Sequence, residues 1–360
     1  MTDPLVFLAG HGIDRPWLGR RLVEAGVASA GAEVASLSAE LIGTGQVGEN
    51  VRCHLDWTGG SGPSSVVVKL PSTSARSRAA ATATRTYVRE VGFYRDVRDR
   101  VTIPTPVPFH VSEDRGTNAF VLVMNDLTPT VAGDQLAGCS VEQAELAMVA
   151  IAGLHGPTWG CDELVELDWV DTTTEETRAD RVALVDQLFD GFVATYGDRL
   201  TAHELDLGRA LRAALPALIE AATGPRCLVH GDYRLDNVLF GTGPGVAPLT
   251  TVDWQTVSYG HGLADVAYFL SGALPPTERR SAEERLLGRY RHALAAEGVD
   301  LTDEVIRHGY RLGSASGYLM AVIASQIVGR TDRGDAMFVA MARGSAALVD
   351  DVDLLSLLDR

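Results

Sequence analysis

Alternation of polar and apolar positions in the first third of the chain predicts the strands of an antiparallel sheet. Residues 51–57 alternate in polarity, and the β-branched run at 65–70 is typical of a buried strand. Together with residues 40–42 these segments form a predicted meander, and another strand is predicted at 120–124. A short helix that includes Trp17 precedes the sheet, and the spacing of apolar residues turns helical over 76–98.

Helical spacing dominates the rest of the chain. Ser140 and Gln143 form a capping box, which predicts a helix running to residue 155. One β-hairpin is predicted within the helical part, from residue 237 to residue 254. Further helices are predicted at 175–196, 203–222, 278–297 and 303–328. The pattern predicts an α+β fold with two lobes: a small antiparallel-sheet lobe over 1–124 and a larger, mainly helical lobe over 125–360.

Composition narrows the classes of partner. The formal net charge of −16 disfavours nucleic acid and anionic membranes, because both would repel the chain. The four cysteines are scattered, with no pair at metal-ligand spacing, which argues against zinc and favours a reducing cytoplasm. No apolar run approaches the roughly 20 residues needed to span a bilayer. We therefore expect a soluble, cytoplasmic protein whose partner is neither a nucleic acid nor a membrane, and the sequence does not indicate an oligomeric state.

Three glycines, Gly43, Gly45 and Gly48, have the spacing GxGxxG. In a dinucleotide-binding fold a helix would follow them, whereas here a strand follows. Glycines between two antiparallel strands form a flap whose backbone amides can approach phosphates. Alone, the motif also fits a plain hairpin turn.

A lysine on a buried strand is the second candidate feature. Lys69 ends an apolar run, and Glu90 follows 21 residues later on the predicted helix. A buried ammonium is costly unless it is paired, so this spacing favours an ion pair that positions phosphates. A lysine reaching solvent from the strand end is the simpler alternative. Met124, at the end of the strand predicted at 120–124, is a further candidate for nucleotide binding.

The most specific feature is the segment 230–237, which reads His-Gly-Asp-Tyr-Arg-Leu-Asp-Asn. Asp232 and Asn237 stand five residues apart directly before a strand, which is the spacing of a kinase catalytic loop. We predict Asp232 as general base and Arg234 as a cation that stabilises the transferring phosphoryl group. Asn237 and Asp253, brought together by the hairpin, are predicted Mg²⁺ ligands.

These motifs resemble the aminoglycoside phosphotransferase and choline kinase superfamily, which has a protein-kinase-like fold. The resemblance extends from about residue 40 to 270, and features around 42–46, 89–94 and 262–268 resemble its ecdysteroid-kinase-like branch. It implies ATP and Mg²⁺ as cofactors and a small-molecule hydroxyl as acceptor. It also implies that Asp265 braces the catalytic loop by hydrogen bonds. His230 is expected to orient that loop, and His155 to be packed rather than catalytic.

Two departures from protein kinases favour a small acceptor. Gly231 replaces the arginine that would bind a phosphorylated activation loop, and only eleven residues separate Asp253 from Asp265. Two alternatives stay open. Residues 234–237 also resemble phosphotransferase domains of acyl-CoA catabolism, which would make a hydroxyacyl-CoA thioester the acceptor. A catalytically silent nucleotide-binding regulator is the rival from another class, although every required polar residue is present.

Overall fold

The computed structural model describes residues 13–43, 47–171 and 174–357. The chain separates into two compact units. The first comprises the chain up to Asp99 and Thr105–Pro129, and the second comprises Arg100–Pro104 and the chain from Thr130 onward. The predicted α+β class is confirmed, since one unit is built on an antiparallel sheet and the other is mainly helical. The assignment of functions to two lobes divided at residue 124 stays a prediction.

The first unit is a five-stranded antiparallel sheet in the order β1-β2-β3-β5-β4. Its strands are β1 (Glu33–Ile42), β2 (Gly48–Thr58), β3 (Ser65–Pro71), β4 (Pro108–Asp114) and β5 (Ala119–Asn125). Helix α1 (Arg15–Glu24) is capped by Asp14, and its Trp17, Leu18 and Leu22 pack on apolar residues of the sheet. Strand β3 lies between β2 and β5, and five of its seven residues are buried.

The helix predicted over residues 76–98 is two helices. Helix α2 (Ala75–Ala83) ends before Arg85, whose φ of 55° is left-handed, and α3 (Thr86–Gly92) begins directly after it. A left-handed residue cannot continue a right-handed helix, so the chain changes direction there. A wider π-helical turn, Phe93–Val97, continues α3.

The second unit contains the predicted hairpin and eight helices within the described residues. The hairpin strands are β8 (Val238–Gly241) and β9 (Leu249–Thr251), and β6 (Thr130–Ala132) pairs with β8. A short ribbon pairs β7 (Cys227–Val229) with β10 (Ser258–Gly260). The helices are α4 (Val141–His155), α5 (Glu175–Tyr196), α6 (Ala202–Ala221), α7 (Leu263–Ala273), α8 (Pro276–Ala296), α9 (Asp303–Gly313), α10 (Ser316–Ile327) and α11 (Asp332–Asp351).

Most predicted helices of this unit are confirmed, and the capping box of Ser140 and Gln143 begins α4. The helix predicted over 303–328 is wrong, because α9 and α10 are separated at Ser314. The Ser345 hydroxyl of α11 donates to the Ser314 carbonyl at 2.6 Å, so a tertiary contact satisfies a group that a continuous helix would have used. Helices α7 and α11 were not predicted.

The part of the chain that the structure describes contains no helix with both the length and the apolar character required to cross a membrane.

Candidate active site

The first unit contains a buried ion pair. Lys69 of β3 donates from Nζ to Glu90 Oε1 of α3 at 2.6 Å, and the two residues are 5% and 1% exposed. Lys69 lies opposite Asn50 of β2 and Leu122 of β5, so strands cover it on both sides. A charge in such a place is costly unless it is paired, and the predicted pairing with Glu90 is present.

The glycine motif is only partly within the described residues. Gly43 follows β1 with a left-handed φ of 73°, which glycine adopts without strain, and Gly48 begins β2. Gly45 lies outside the described residues. Tyr87 of α3 donates its hydroxyl to the Val47 carbonyl at 2.6 Å and so fixes the end of the connection between β1 and β2. The sequence spacing places Tyr87 on one face of the predicted helix but does not report this hydrogen bond.

Met124, the remaining predicted nucleotide contact, is buried near the end of β5, where it pairs with Val67 of β3. Met124 is therefore part of the sheet of the first unit.

The predicted catalytic loop, residues 230–237, follows β7 in the second unit and leads through a 3-10 turn into β8. Gly231 has a φ of 79°, and a Cβ there would lie 2.6 Å from the Thr256 carbonyl oxygen, so only glycine fits. The His230 ring is buried, with Nδ1 accepting from the Asp232 backbone N–H at 3.3 Å and Nε2 lying 3.0 Å from the Val252 carbonyl. A proton on Nε2 satisfies both contacts, and these contacts let the ring orient the loop.

Asp265, at the start of α7, accepts hydrogen bonds from two consecutive backbone amides of the loop. The His230 N–H donates to Oδ2 at 2.6 Å, and the Gly231 N–H donates to Oδ1 at 3.0 Å. The buried His155 ring lies 3.3 Å from the same Oδ2 and 2.9 Å from the Tyr290 hydroxyl. The structure thus confirms that Asp265 braces the loop and that His155 is packed behind it.

The Asp232 carboxylate receives three side-chain donors. Arg234 Nε lies 3.0 and 3.1 Å from its two oxygens, and Asn237 Nδ2 donates to Oδ2 at 2.9 Å. The Tyr268 hydroxyl donates to Oδ1 at 2.7 Å. Burial, and then the Asp232 charge, raise the pKa of Tyr268 well above its ordinary value, so this phenol stays a donor. Tyr268 stands in the segment 262–268, yet its spacing did not show that it reaches Asp232.

Arg234 contacts a second carboxylate as well. Its Nη1 donates to Asp236 Oδ2 at 2.5 Å. Burial alone would lower the pKa of Arg234, but Asp232 and Asp236 outweigh burial and raise that pKa. Burial would raise the pKa of Asp236, whereas hydrogen bonding to Arg333 and the charge of Arg234 bring it down to about 2. The loop therefore holds alternating charges beside Asp232.

Asn237 and Asp253, the predicted metal ligands, are brought together by the hairpin. The Val252 N–H donates to the Asn237 carbonyl at 2.9 Å, which places Asp253 at the end of β9 beside the loop. Both side-chain bonds of Asn237 use its amide nitrogen, so its amide oxygen is the atom that it offers to a cation. Asp253 has a left-handed φ of 67°, a strained conformation for this residue that is frequent at functional sites.

These donors fit Mg²⁺ better than zinc. Among residues 13–43, 47–171 and 174–357, no three His, Cys, Asp or Glu side chains group closely enough to hold a metal by themselves. Mg²⁺ is commonly bound by only one or two carboxylates, together with water and substrate phosphates. One carboxylate and one amide oxygen match that mode of binding.

The fold and the loop geometry define a phosphotransferase with a kinase-like fold. The sequence model described as "Phosphotransferase enzyme family" (APH) matches residues 42–301, which is well over half of the chain. The chain therefore belongs to the phosphotransferase enzyme family, and the resemblance inferred from its motifs is confirmed at that level. The closer resemblance to the ecdysteroid-kinase-like branch stays a prediction.

Solved structures share the fold. An ethanolamine kinase from Plasmodium vivax superposes with a TM-score of 0.53 at 12% identity, covering 88% of this chain and 83% of that one. The GDP complex of aminoglycoside 2'-phosphotransferase-IIIa gives a TM-score of 0.52 at 14% identity, covering 87% and 94%. At these identities the likeness shows the kinase-like fold and no more.

Curated relatives match over a short stretch. Acyl-CoA dehydrogenase family member 11 of Rattus norvegicus is 33% identical over 85 residues, which are 22% of this chain. The mouse protein of the same name is 32% identical over the same length. The match spans 10% of each of these relatives, so it describes one small part of them.

Proposed function

We propose that the protein transfers the γ-phosphate of ATP to a hydroxyl group of a small molecule, with Asp232 as general base. The observation that carries this proposal is the Asp232 carboxylate, held by Arg234, Tyr268 and Asn237 in a chain of the phosphotransferase enzyme family. In this role Asp232 accepts the proton of the attacking hydroxyl as the acceptor oxygen bonds to the γ-phosphorus and the bond to the β-phosphate oxygen breaks.

The remaining predicted residues have supporting roles in the proposal. Lys69, fixed by Glu90, binds the phosphates of ATP together with the glycine motif of Gly43, Gly45 and Gly48, and Met124 binds the nucleotide. Asn237 and Asp253 hold Mg²⁺, which neutralises charge on the phosphates when it is bound. Arg234 stabilises negative charge that develops on the transferring group. Most of the catalysis is then positioning and electrostatic stabilisation.

A hydroxyacyl-CoA thioester is a second candidate acceptor. The observation in its favour is the 85-residue match to acyl-CoA dehydrogenase family member 11, whose name refers to acyl-CoA substrates. A catalytically silent nucleotide-binding regulator is the third candidate. Against it stands the assembled loop, in which Asp232 and Asn237 are both present and in contact.

The test is release of ADP from ATP and Mg²⁺ with a panel of acceptors: aminoglycosides, amino alcohols, sugars, sterols and hydroxyacyl-CoA thioesters. We expect one class of acceptor to accelerate ADP release. With that acceptor, Asp232→Asn should lower kcat by about 10²- to 10⁴-fold, which is the usual contribution of general-base catalysis to the rate. Affinity for ATP should change little, because Asp232 acts mainly in the transition state.

Asp206→Asn is the matched control for that substitution, because Asp206 is an exposed aspartate of α6 paired with Arg209 at 2.6 Å. Its turnover should equal that of the wild type. If Asp232→Asn turned over at the wild-type rate, Asp232 would not be the general base. Nucleotide binding with no turnover, including no hydrolysis of ATP by water, would favour the silent regulator instead.

A further inference from the structure

One face of the long helix α11 lies along the catalytic loop. Arg333, Met337 and Met341 are spaced four residues apart, which places them on one side of the helix. Met337 Sδ lies 3.1 Å from Arg234 Nη1, and Met341 Sδ lies 3.9 Å from the Tyr268 hydroxyl. Two of the three groups that hold the Asp232 carboxylate are thus contacted by a helix outside the family-matched residues 42–301.

Arg333 is the charged member of this face and binds Asp236 with both terminal nitrogens. Nη2 donates to Oδ1 at 2.7 Å and Nη1 donates to Oδ2 at 2.9 Å, a bidentate pairing that fixes the plane of the carboxylate. Arg333 Nη2 also lies 3.0 Å from Asp134. The Arg333 side chain is 41% exposed, whereas that of Asp236 is 13% exposed, so the contact links the surface to the loop.

Asp236 connects Arg333 to Asp232 through Arg234. The same Oδ2 that receives Arg333 also receives Arg234 Nη1 at 2.5 Å, and Arg234 Nε in turn contacts both oxygens of Asp232. An arginine side chain has several rotatable bonds, and ordering it is costly unless its donors are held at more than one point. Asp236 supplies the second point, and Arg333 fixes Asp236.

If the Arg333–Asp236 ion pair served only the stability of the fold, its loss would have a different effect from the loss of a positioning contact. An ion pair between partly exposed side chains contributes little to stability, so its loss would leave the loop and turnover nearly unchanged. A role in positioning predicts that a small shift of Arg234 reaches Asp232, where a displacement of about 1 Å can cost about 10²-fold in rate.

We propose that Arg333 is a positioning residue for Asp232, acting through Asp236 and Arg234. This inference rests on the proposed role of Asp232 in phosphoryl transfer. It assigns to helix α11 control over the geometry of a loop that lies about a hundred residues earlier in the chain, at Asp236.

The experiment compares Arg333→Gln with the matched control Arg330→Gln in the full chain. Arg330 stands three positions earlier, is exposed, and pairs with Asp335 at 2.7 Å. We expect Arg333→Gln to lower kcat for ADP release, with the best acceptor or with water, by about ten- to a hundredfold. The KM for ATP should stay within about twofold of the wild type, since the ground-state contacts to ATP are intact, and Arg330→Gln should behave as the wild type.

Two further variants separate positioning from a general loss of structure. Arg333→Lys should restore turnover only in part, because an ammonium cannot make two parallel bonds to a carboxylate. Combining Arg333→Gln with Asp236→Asn should lower kcat no further than Asp236→Asn alone, because both substitutions break the same series of contacts from Arg333 through Asp236 to Arg234.

A measurement that needs no acceptor completes the test. The Arg234 Nε–H, held against Asp232, should give a slowly exchanging ¹⁵N NMR signal, identified by its loss in Arg234→Lys. That signal should shift and exchange faster in Arg333→Gln and stay unchanged in Arg330→Gln. Wild-type kcat and an unchanged Arg234 signal in Arg333→Gln would overturn the inference, as would an equal loss in Arg330→Gln. If Asp232→Asn keeps full turnover, the proposed function fails, and the NMR comparison still decides the role of Arg333.

Discussion

Replacing Asp265 by asparagine should damage stability and catalysis together. The wild-type carboxylate, 2% exposed, accepts the N–H groups of His230 and Gly231 at 2.6 and 3.0 Å. Asparagine keeps the shape but has a single acceptor oxygen. The better orientation keeps that oxygen near His230 and turns the amide NH₂ toward the Gly231 N–H, so that two donors face each other.

The size of the effect follows from these contacts. A hydrogen bond to a charged group contributes about 1.5–3 kcal/mol, and leaving a buried donor without an acceptor costs about 1–3 kcal/mol. Because the two figures partly describe the same loss, we expect the free energy of unfolding to fall by about 3 kcal/mol. For a chain of this length that is a fall in Tm of roughly 4 °C. Since Gly231 precedes Asp232 directly, kcat should also fall by about 10²-fold.

Urea denaturation and calorimetry measure the first effect, and release of ADP measures the second. The exposed Asp206→Asn control should change the free energy of unfolding by less than about 0.5 kcal/mol. The reasoning is refuted if Asp265→Asn unfolds at the wild-type urea concentration yet is inactive while Asp232→Asn turns over normally. Such a result would mean that the roles of the two aspartates are exchanged.

Two further predictions concern the nucleotide and the cysteines. ATP with Mg²⁺ at about 100 times Kd should stabilise the protein by about 2.7 kcal/mol and so raise its Tm. Lys69→Ala should remove most of that rise. An unchanged rise in Lys69→Ala would mean that the phosphates bind elsewhere. Burial raises the pKa of the Cys53 and Cys139 thiols from 9.0 to about 12. The stability linked to keeping these thiols protonated is therefore full below about pH 9 and lost as the pH rises toward 12. Thiolate absorbance should show this, and thiols that ionise near pH 9 in the native protein would contradict it.

Local patterns in the sequence determined much of the fold. Alternation and β-branched runs identified β2, β3 and β5, and the Ser140 capping box placed the start of α4 to the residue. These features depend on neighbours within a few positions, and their physical basis is backbone geometry and local hydrogen bonding. The Asp232 to Asn237 spacing is local in the same sense, because a short loop before a strand brings both side chains together.

Contacts between distant parts of the chain decided the rest. The apolar pattern over 303–328 predicts one helix, whereas the structure has two helices separated at Ser314, whose carbonyl accepts from the Ser345 hydroxyl of α11. The hydrogen bond from Tyr268 to Asp232 and the ion pair of Arg333 with Asp236 join residues 36 and 97 positions apart. No spacing rule reports such pairs, because they depend on how helices α7 and α11 pack against the loop. The sequence by itself thus indicated the loop of residues 230–237 as the candidate site, because its motif is local, and the tertiary structure decided which distant groups hold that loop in place.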